Sequence, residues 1–301
     1  MPLQKIFAAA VLLCASIAFH AQTPAAITTD PAPDKANPAA MQSFQLPSHG
    51  ALLNAIVYVA AGPGPHPIVI LLHGFPGNEK NLDLAQTIRR AGWDVLFFNY
   101  RGSWGSPGTF SFTHSIEDTQ SAIAYLRDPA NAAKLRSDPK YIVLIGHSMG
   151  GMIAANVAAG DPEIRGVGLI SGANMAGRLL PAVQANKQEE ALPRVTKGLA
   201  AEGLAPLAGC TPESLARELL ANAAKWNLPD LAPKLSARPI LVVTSDDGLA
   251  DASDALVANL KKIGDTEVNA VHIPTDHGYS DHRIALQQTV LEGLDYLQSH
   301  R

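Results

Sequence analysis

The chain has 301 residues, of which 47% are hydrophobic, and carries 23 Lys+Arg against 27 Asp+Glu for a formal net charge of −4. That length fits one large α/β domain or two small ones, and the apolar content supports a sizeable core. There is no basic block, so nucleic-acid binding has no electrostatic footprint and is excluded from the expected partners.

Lys5 precedes an uncharged apolar stretch from Ile6 to Phe19, with small residues at Ser16-Ile17-Ala18 and at Ala21. Residues 1–21 are therefore expected to be a secretory signal peptide, and the protein to be exported, periplasmic or secreted. The stretch is short for a bilayer crossing, so no stable membrane span is expected. Cys14 offers a lipid-anchored alternative, although Leu13 before it matches such processing poorly. With the leader removed, Cys210 is the only cysteine left, and no intramolecular disulfide is expected. The segment 22–40, dominated by Ala, Pro, Thr and Asp, reads as a disordered linker. The folded domain is then expected to run from 41 to 301.

Ser43–Leu46 and Ala51–Ala60 read as a hairpin turning at Pro47–Gly50. From there, short apolar runs alternate with helical stretches. The strand candidates are Ile68–Leu72, Asp94–Asn99, Tyr141–Ile145, Val167–Ile170, Ile240–Thr244 and Val268–Ile273. The helix candidates are Asn81–Ala91, Ser115–Arg127, Met149–Ala159, Ser253–Ile263 and Arg283–Ser299. Ser115-x-x-Asp118 has a capping-box spacing for the start of its helix. Continuous apolar strands alternating with helices predict a mainly parallel sheet with helices on both faces. Residues 172–237 break the rhythm. They hold no strand candidate, only Ala-, Leu- and charge-rich segments such as Thr211–Trp226. They are too long for a βα loop and are expected to form a helical lid insertion above the carboxyl ends of the strands.

The chemistry concentrates at those strand ends. Gly146-His147-Ser148-Met149-Gly150 lies between the run Tyr141–Ile145 and the Ala-rich stretch after it. A strand, Gly-x-Ser-x-Gly and a helix make a sharp turn that exposes a nucleophilic serine, here Ser148. The flanking glycines let strand and helix pack closely. A serine nucleophile needs a base, an orienting acid and oxyanion donors. His73-Gly74-Phe75-Pro76-Gly77 follows the strand at 68–72, and its Phe75 N–H is the expected partner of the Met149 N–H as an oxyanion hole. Each such donor is typically worth about 10²–10³ in rate. The acid is sought in Ser245-Asp246-Asp247-Gly248; Asp247 is favoured because it lies farther round the turn, with Asp246 the alternative. The base is expected at His277 in Pro274-Thr275-Asp276-His277-Gly278. Its rival His282 reads as the start of the last helix, and His73 and His147 are accounted for by the turns that contain them. No Cys/His or His-x-x-x-His spacing suggests a metal, and none is expected.

With these residues, in the chain order Ser148, Asp247, His277, the region from Met41 to Arg301 resembles the α/β-hydrolase superfamily. Within it, the chain looks similar to the branch shared by dienelactone-hydrolase-like esterases and prolyl-oligopeptidase-like peptidases. Asn99-Tyr100-Arg101-Gly102-Ser103-Trp104-Gly105 is similar to a loop after that branch's fourth strand. Asp276-His277-Gly278-Tyr279-Ser280 resembles its catalytic-histidine loop, which strengthens His277 over His282. Those peptidases usually carry a tyrosine at the oxyanion position, whereas this chain has the His-Gly form common in esterases. The resemblance implies the fold and the serine–acid–histidine triad but not the substrate; the expected function is a serine hydrolase that cleaves a small-molecule carboxylic ester through an acyl-enzyme, without a cofactor. The alternatives are a serine peptidase or amidase using the same residues, and a catalytically silent binding protein that keeps the fold.

Overall fold

The computed structural model describes residues 23–299. The leader expected at 1–21, Cys14 included, lies outside the described residues. The sheet has eight strands: β1 (Ala40–Ser48), β2 (Ala51–Val59), β3 (His66–Leu72), β4 (Asp94–Phe98), β5 (Ser137–His147), β6 (Gly166–Ile170), β7 (Ile240–Thr244) and β8 (Val268–His272). Their spatial order is β1-β2-β4-β3-β5-β6-β7-β8, antiparallel among β1, β2 and β4 and parallel from there to β8. This is the mainly parallel sheet expected. Every residue of β3, β4, β6 and β7 is buried, as continuous apolar runs covered on both faces require.

The β1–β2 hairpin turns more tightly than the sequence suggests. Ser48 pairs with Ala51, which leaves His49 and Gly50 as the two-residue loop, both at positive φ. Pro47 sits inside β1 rather than in the turn, which the edge position of that strand permits.

Two apolar layers cover the sheet. One packs α3 (Phe112–Arg127), α5 (Met149–Gly160) and α10 (Ala250–Lys262) through residues such as Ile123, Met152 and Leu256. The other packs α2 (Leu82–Arg90) and α11 (Arg283–Ser299) through Leu84, Ile88, Leu286 and Val290. Short α4 (Pro129–Leu135), capped by Asp128, leads into β5. Among the described residues, no helix is long and apolar enough to cross a membrane.

Two local expectations are corrected. Helix α3 begins at Phe112, with Ser111 as its cap accepting from the His114 N–H at 3.0 Å. The Ser115/Asp118 capping box does not form because Asp118 is committed elsewhere. Its buried carboxylate accepts from the Arg101 N–H at 2.7 Å, from Arg101 Nε at 2.6 Å and from Ser48 Oγ at 2.6 Å. The segment 22–40 is not a free linker along its length either. Helix α1 (Ala25–Thr28) packs Ala26 and Ile27 against the α2/α11 layer, and Arg90 Nε donates to the Ala26 carbonyl at 2.5 Å.

Between β6 and β7 the chain forms α6 (Leu180–Gln184), α7 (Gln188–Ala201), α8 (Pro212–Ala221) and α9 (Ala232–Leu235). This is the helical, strand-free segment expected for 172–237. A capping box does occur here, between Thr211 and Ser214 at the start of α8. The α7–α8 connection is fastened to the loop after β4: Trp104 N–H donates to Pro206 O at 2.9 Å, Ala208 N–H to Gly102 O at 2.8 Å, and Phe110 N–H to Ala208 O at 2.9 Å.

Candidate active site

Ser148 stands between the last residue of β5 and the first of α5, at φ 57° and ψ −121°. A side chain other than glycine adopts that conformation only under strain, typically about 1–3 kcal/mol. Close packing imposes it. A Cβ at Gly146 would overlap the Gly150 carbonyl, and a Cβ at Gly150 would overlap the Leu72 carbonyl. The Ser148 N–H donates to Ile170 O at 2.9 Å, and its carbonyl accepts from Ala173 N–H at 3.0 Å. The strained turn is thus pinned to the end of β6.

The turn after β3 borders the serine directly. A Cβ at Gly74 would lie 2.9 Å from Ser148 Cβ and 3.5 Å from its Oγ. Three hydrogen bonds stiffen this turn: Tyr100 Oη to His73 O at 3.1 Å, Trp104 Nε1 to Pro76 O at 2.8 Å, and His73 Nδ1 to Gly74 O at 2.8 Å. The Phe75 ring packs between Phe110 and Phe112, at centroid distances of 5.8 and 5.6 Å. Among the described residues, neither the Phe75 nor the Met149 N–H donates a hydrogen bond to the backbone. Met149 opens α5, where N–H groups have no intrahelical partner.

His277 Nδ1 and Asp247 Oδ2 are 2.7 Å apart. The Asp247 side chain is almost wholly buried, while that of His277 is 40% exposed. Burial alone would raise the Asp247 pKa. It is outweighed by hydrogen bonds from His277, the Leu249 N–H and the Ser171 hydroxyl, which hold the carboxyl below its ordinary value. Asp246 is turned away. Its exposed carboxylate faces His272 Nε2 at 3.1 Å, and its N–H donates to Thr275 O. His282 pairs with Asp281 at 2.8 Å just before α11 and has no part in this cluster.

Several participants escaped the sequence reading. The Ser171 hydroxyl at the end of β6 bonds Ser245 Oγ at 2.9 Å and Tyr279 Oη at 3.0 Å, tying three strand-end loops together beneath Asp247. Ser171 and Tyr279 both sit at positive φ. The sequence signal for Ser171 was its position, one residue past β6, and Tyr279 stood in the His277 loop without a role assigned to it. His73 and His147 proved more than passengers in their turns. Burial pushes the His73 pKa down to about 4, and burial, then the neighbouring His277, does the same for His147. Both are therefore neutral at neutral pH. Among the described residues, no group of three or more His, Cys, Asp or Glu side chains is arranged to hold a metal ion.

Comparisons with known proteins agree with this geometry at the level of family and fold. A family model described as alpha/beta hydrolase fold matches residues 67–231. An uncharacterized protein, YfhR of Escherichia coli O157:H7, is 35% identical over 134 residues, which is 40% of this chain and 44% of that relative's length. A multifunctional-autoprocessing repeats-in-toxin of Vibrio vulnificus is 28% identical over 65% of this chain but only 3% of its own. Among solved structures, a thermostable carboxyl esterase from Bacillus coagulans superposes with a TM-score of 0.64 at 18% identity, covering 86% of this chain and 99% of that one. An esterase from Pyrobaculum calidifontis gives 0.63 at 23% identity, covering 88% and 86%.

Proposed function

Because the chain belongs to the alpha/beta hydrolase fold family, we propose that it is a serine hydrolase of carboxylic esters with Ser148 as nucleophile, His277 as base and Asp247 as orienting acid. The observation that carries the proposal is the 2.7 Å contact between Asp247 and the Nδ1 side of the His277 ring. With the Nδ1 proton committed to the carboxylate, Nε2 is left bare to accept a proton. Ser148 Oγ attacks the ester carbonyl and passes its proton to His277 Nε2. The developing oxyanion is met by the N–H groups of Phe75 and Met149. Asp247, kept ionised, stabilises the imidazolium. His277 then protonates the departing alcohol, and water repeats the cycle on the acyl-enzyme. The helices between β6 and β7 serve as the lid, limiting access to small substrates. Esterase names among structures that share the fold favour an ester over a peptide amide as substrate.

Ser148→Ala should abolish covalent labelling by a fluorophosphonate while leaving the fold intact, and normal labelling of that variant would remove the nucleophile. The ester preference is read from kcat/KM for a p-nitrophenyl ester against the matching p-nitroanilide. Comparable efficiencies on the two would replace the esterase reading with a peptidase.

A further inference from the structure

His147 precedes the candidate nucleophile in the chain, yet its side chain reaches the candidate base. Its Nε2 lies 2.8 Å from the backbone carbonyl of His277, and the two imidazoles lie side by side with centroids 4.6 Å apart and planes tilted by 40°. A carbonyl oxygen only accepts, so the proton must sit on Nε2. The residue is 3% exposed, and its Nδ1 is buried with no hydrogen-bond partner among the described residues. A bare Nδ1 lone pair in that position costs far less than a buried, unpaired N–H would, so burial and the hydrogen bond select the same neutral tautomer.

We infer that His147 is a positioning residue for the proposed reaction: its Nε2–H clamps the main chain of His277 and thereby sets the distance between base and nucleophile. This rests on the assignment of Ser148 and His277 above. The covalent path from Ser148 to His147 is a single peptide unit, and one hydrogen bond then spans a sequence gap of 130 residues. His277 otherwise sits in a connection between β8 and α11, held on its other side by Asp247. The carboxylate fixes the tautomer and tilt of the base ring, and His147 fixes the backbone from which that ring projects. Neutrality matters as well. When His277 takes the serine proton it becomes a cation, and a charged ring at 4.6 Å would oppose that step. The other charges acting on His147 are Arg283, which disfavours its protonated form, and Asp247, which favours it.

Three substitutions separate the clamp from simple packing. His147→Phe keeps a flat ring but has no donor, His147→Gln keeps a donor at similar reach but has no ring, and His147→Asn places its donor one methylene short. The expected result is a kcat lowered about 10- to 100-fold in the Phe variant with KM within about twofold of wild type, as a displaced catalytic group produces. The rate of fluorophosphonate labelling should fall in parallel, and the Gln variant should recover to within a few-fold. A folded Phe variant with wild-type kcat, or a Gln variant as impaired as the Phe variant, would overturn the proposal. If the Phe variant does not fold, the Gln and Asn variants decide. Both are polar and smaller than the ring they replace, so equal kcat in the two rejects the clamp and a marked advantage for Gln supports it. Ser148→Ala distinguishes the underlying failures. Should it still be labelled, the nucleophile assignment falls. Should it be dead while His147→Phe matches wild type, only the clamp falls.

Discussion

At the turn around Ser148, backbone meets backbone. Gly146 faces the Gly150 carbonyl and Gly150 faces the Leu72 carbonyl, with no room for a side chain at either. In the helical segment between β6 and β7, Gly198 stands inside α7 with nothing within 4 Å of where a Cβ would lie. The first region is held by contacts that admit one residue type. The second is held by apolar side chains such as Leu192, Val195, Leu215 and Leu219, and by three backbone hydrogen bonds to the loop after β4. That difference separates a turn fixed by backbone packing from a segment fixed by side-chain packing.

The largest expected effect lies in the loops that carry His277 and Asp247, the proposed base and acid. Asp247→Asn should lower kcat by about 10³- to 10⁴-fold, because the amide can hold the His277 ring in the wrong tautomer. Asp246→Asn should stay within about threefold of wild type, since its exposed contact to His272 has the small worth of a surface pair. Steady-state kinetics on one ester substrate tests both. A dead Asp246 variant beside an active Asp247 variant would reverse the acid assignment.

Next in size is Gly150→Ala. Even a methyl group there must displace the Leu72 carbonyl, and with it the strand that carries the His73–Gly77 turn. A loss of about 3 kcal/mol or more is expected, together with activity, from overpacking against backbone that cannot yield. Urea unfolding and labelling by a fluorophosphonate measure the two together. A variant of wild-type stability would show that the turn is looser than its packing indicates.

The sharp turn at Ser148 was legible in the sequence because that close approach selects glycine at both flanks. The loop that brings His277 to Asp247 was legible from its place after a strand. Asp247 was narrowed only to a pair, since adjacent aspartates in one turn differ in where each carboxylate points, and tertiary packing decides that. The start of α3 was misread for a similar reason. Ser111 and Ser115 are both capable caps, and Asp118 three residues on from Ser115 completes the pattern, but the buried Arg101 claims that carboxylate. The docking of Ala26 and Ile27 depends on Arg90, which no local pattern connects to them. His147 looked spent on its turn, and its contact with His277 emerges only once β5 and the loop after β8 share one sheet end.

A third effect arises from the two buried histidines. Each has its pKa lowered from 6.5 to about 4. The unfolded chain therefore binds a proton at each site before the folded chain does. Their contribution to stability is complete above pH 6.5 and is lost as pH falls toward 4, at up to about 3 kcal/mol per histidine. Asp94 opposes this trend. Burial raises its pKa to about 6, so the folded state binds its proton first, and its contribution weakens as pH rises through that range. Two protons against one leave a net gain in stability with rising pH between 4 and 6.5. Thermal unfolding across that range should show Tm rising, and His73→Phe should flatten the slope. A flat or falling wild-type profile would contradict buried, neutral histidines beside Ser148.

The smallest expected effect is at the other end of the comparison. Gly198→Ala replaces the poorest interior helix former after proline with the best, at a position where a methyl group meets nothing. Its backbone is helical and not left-handed, so alanine adopts it without strain, and the unfolded chain loses freedom it would otherwise keep. A gain of about 0.5–1 kcal/mol in α7 is expected. Because α7 packs on α8, whose Glu218 accepts from the Phe112 N–H at 3.0 Å and the Thr113 N–H at 2.7 Å, the gain should be carried to the start of α3. Urea unfolding would register it as a higher midpoint with an unchanged slope, and kcat should not move, since no group near Ser148 is altered. A stabilised variant with lowered kcat would mean that α7 must open during turnover, which would make the proposed lid a moving part. A destabilised variant would mean that the space beside Gly198 is already occupied, and the contrast with Gly150 would lose its second term.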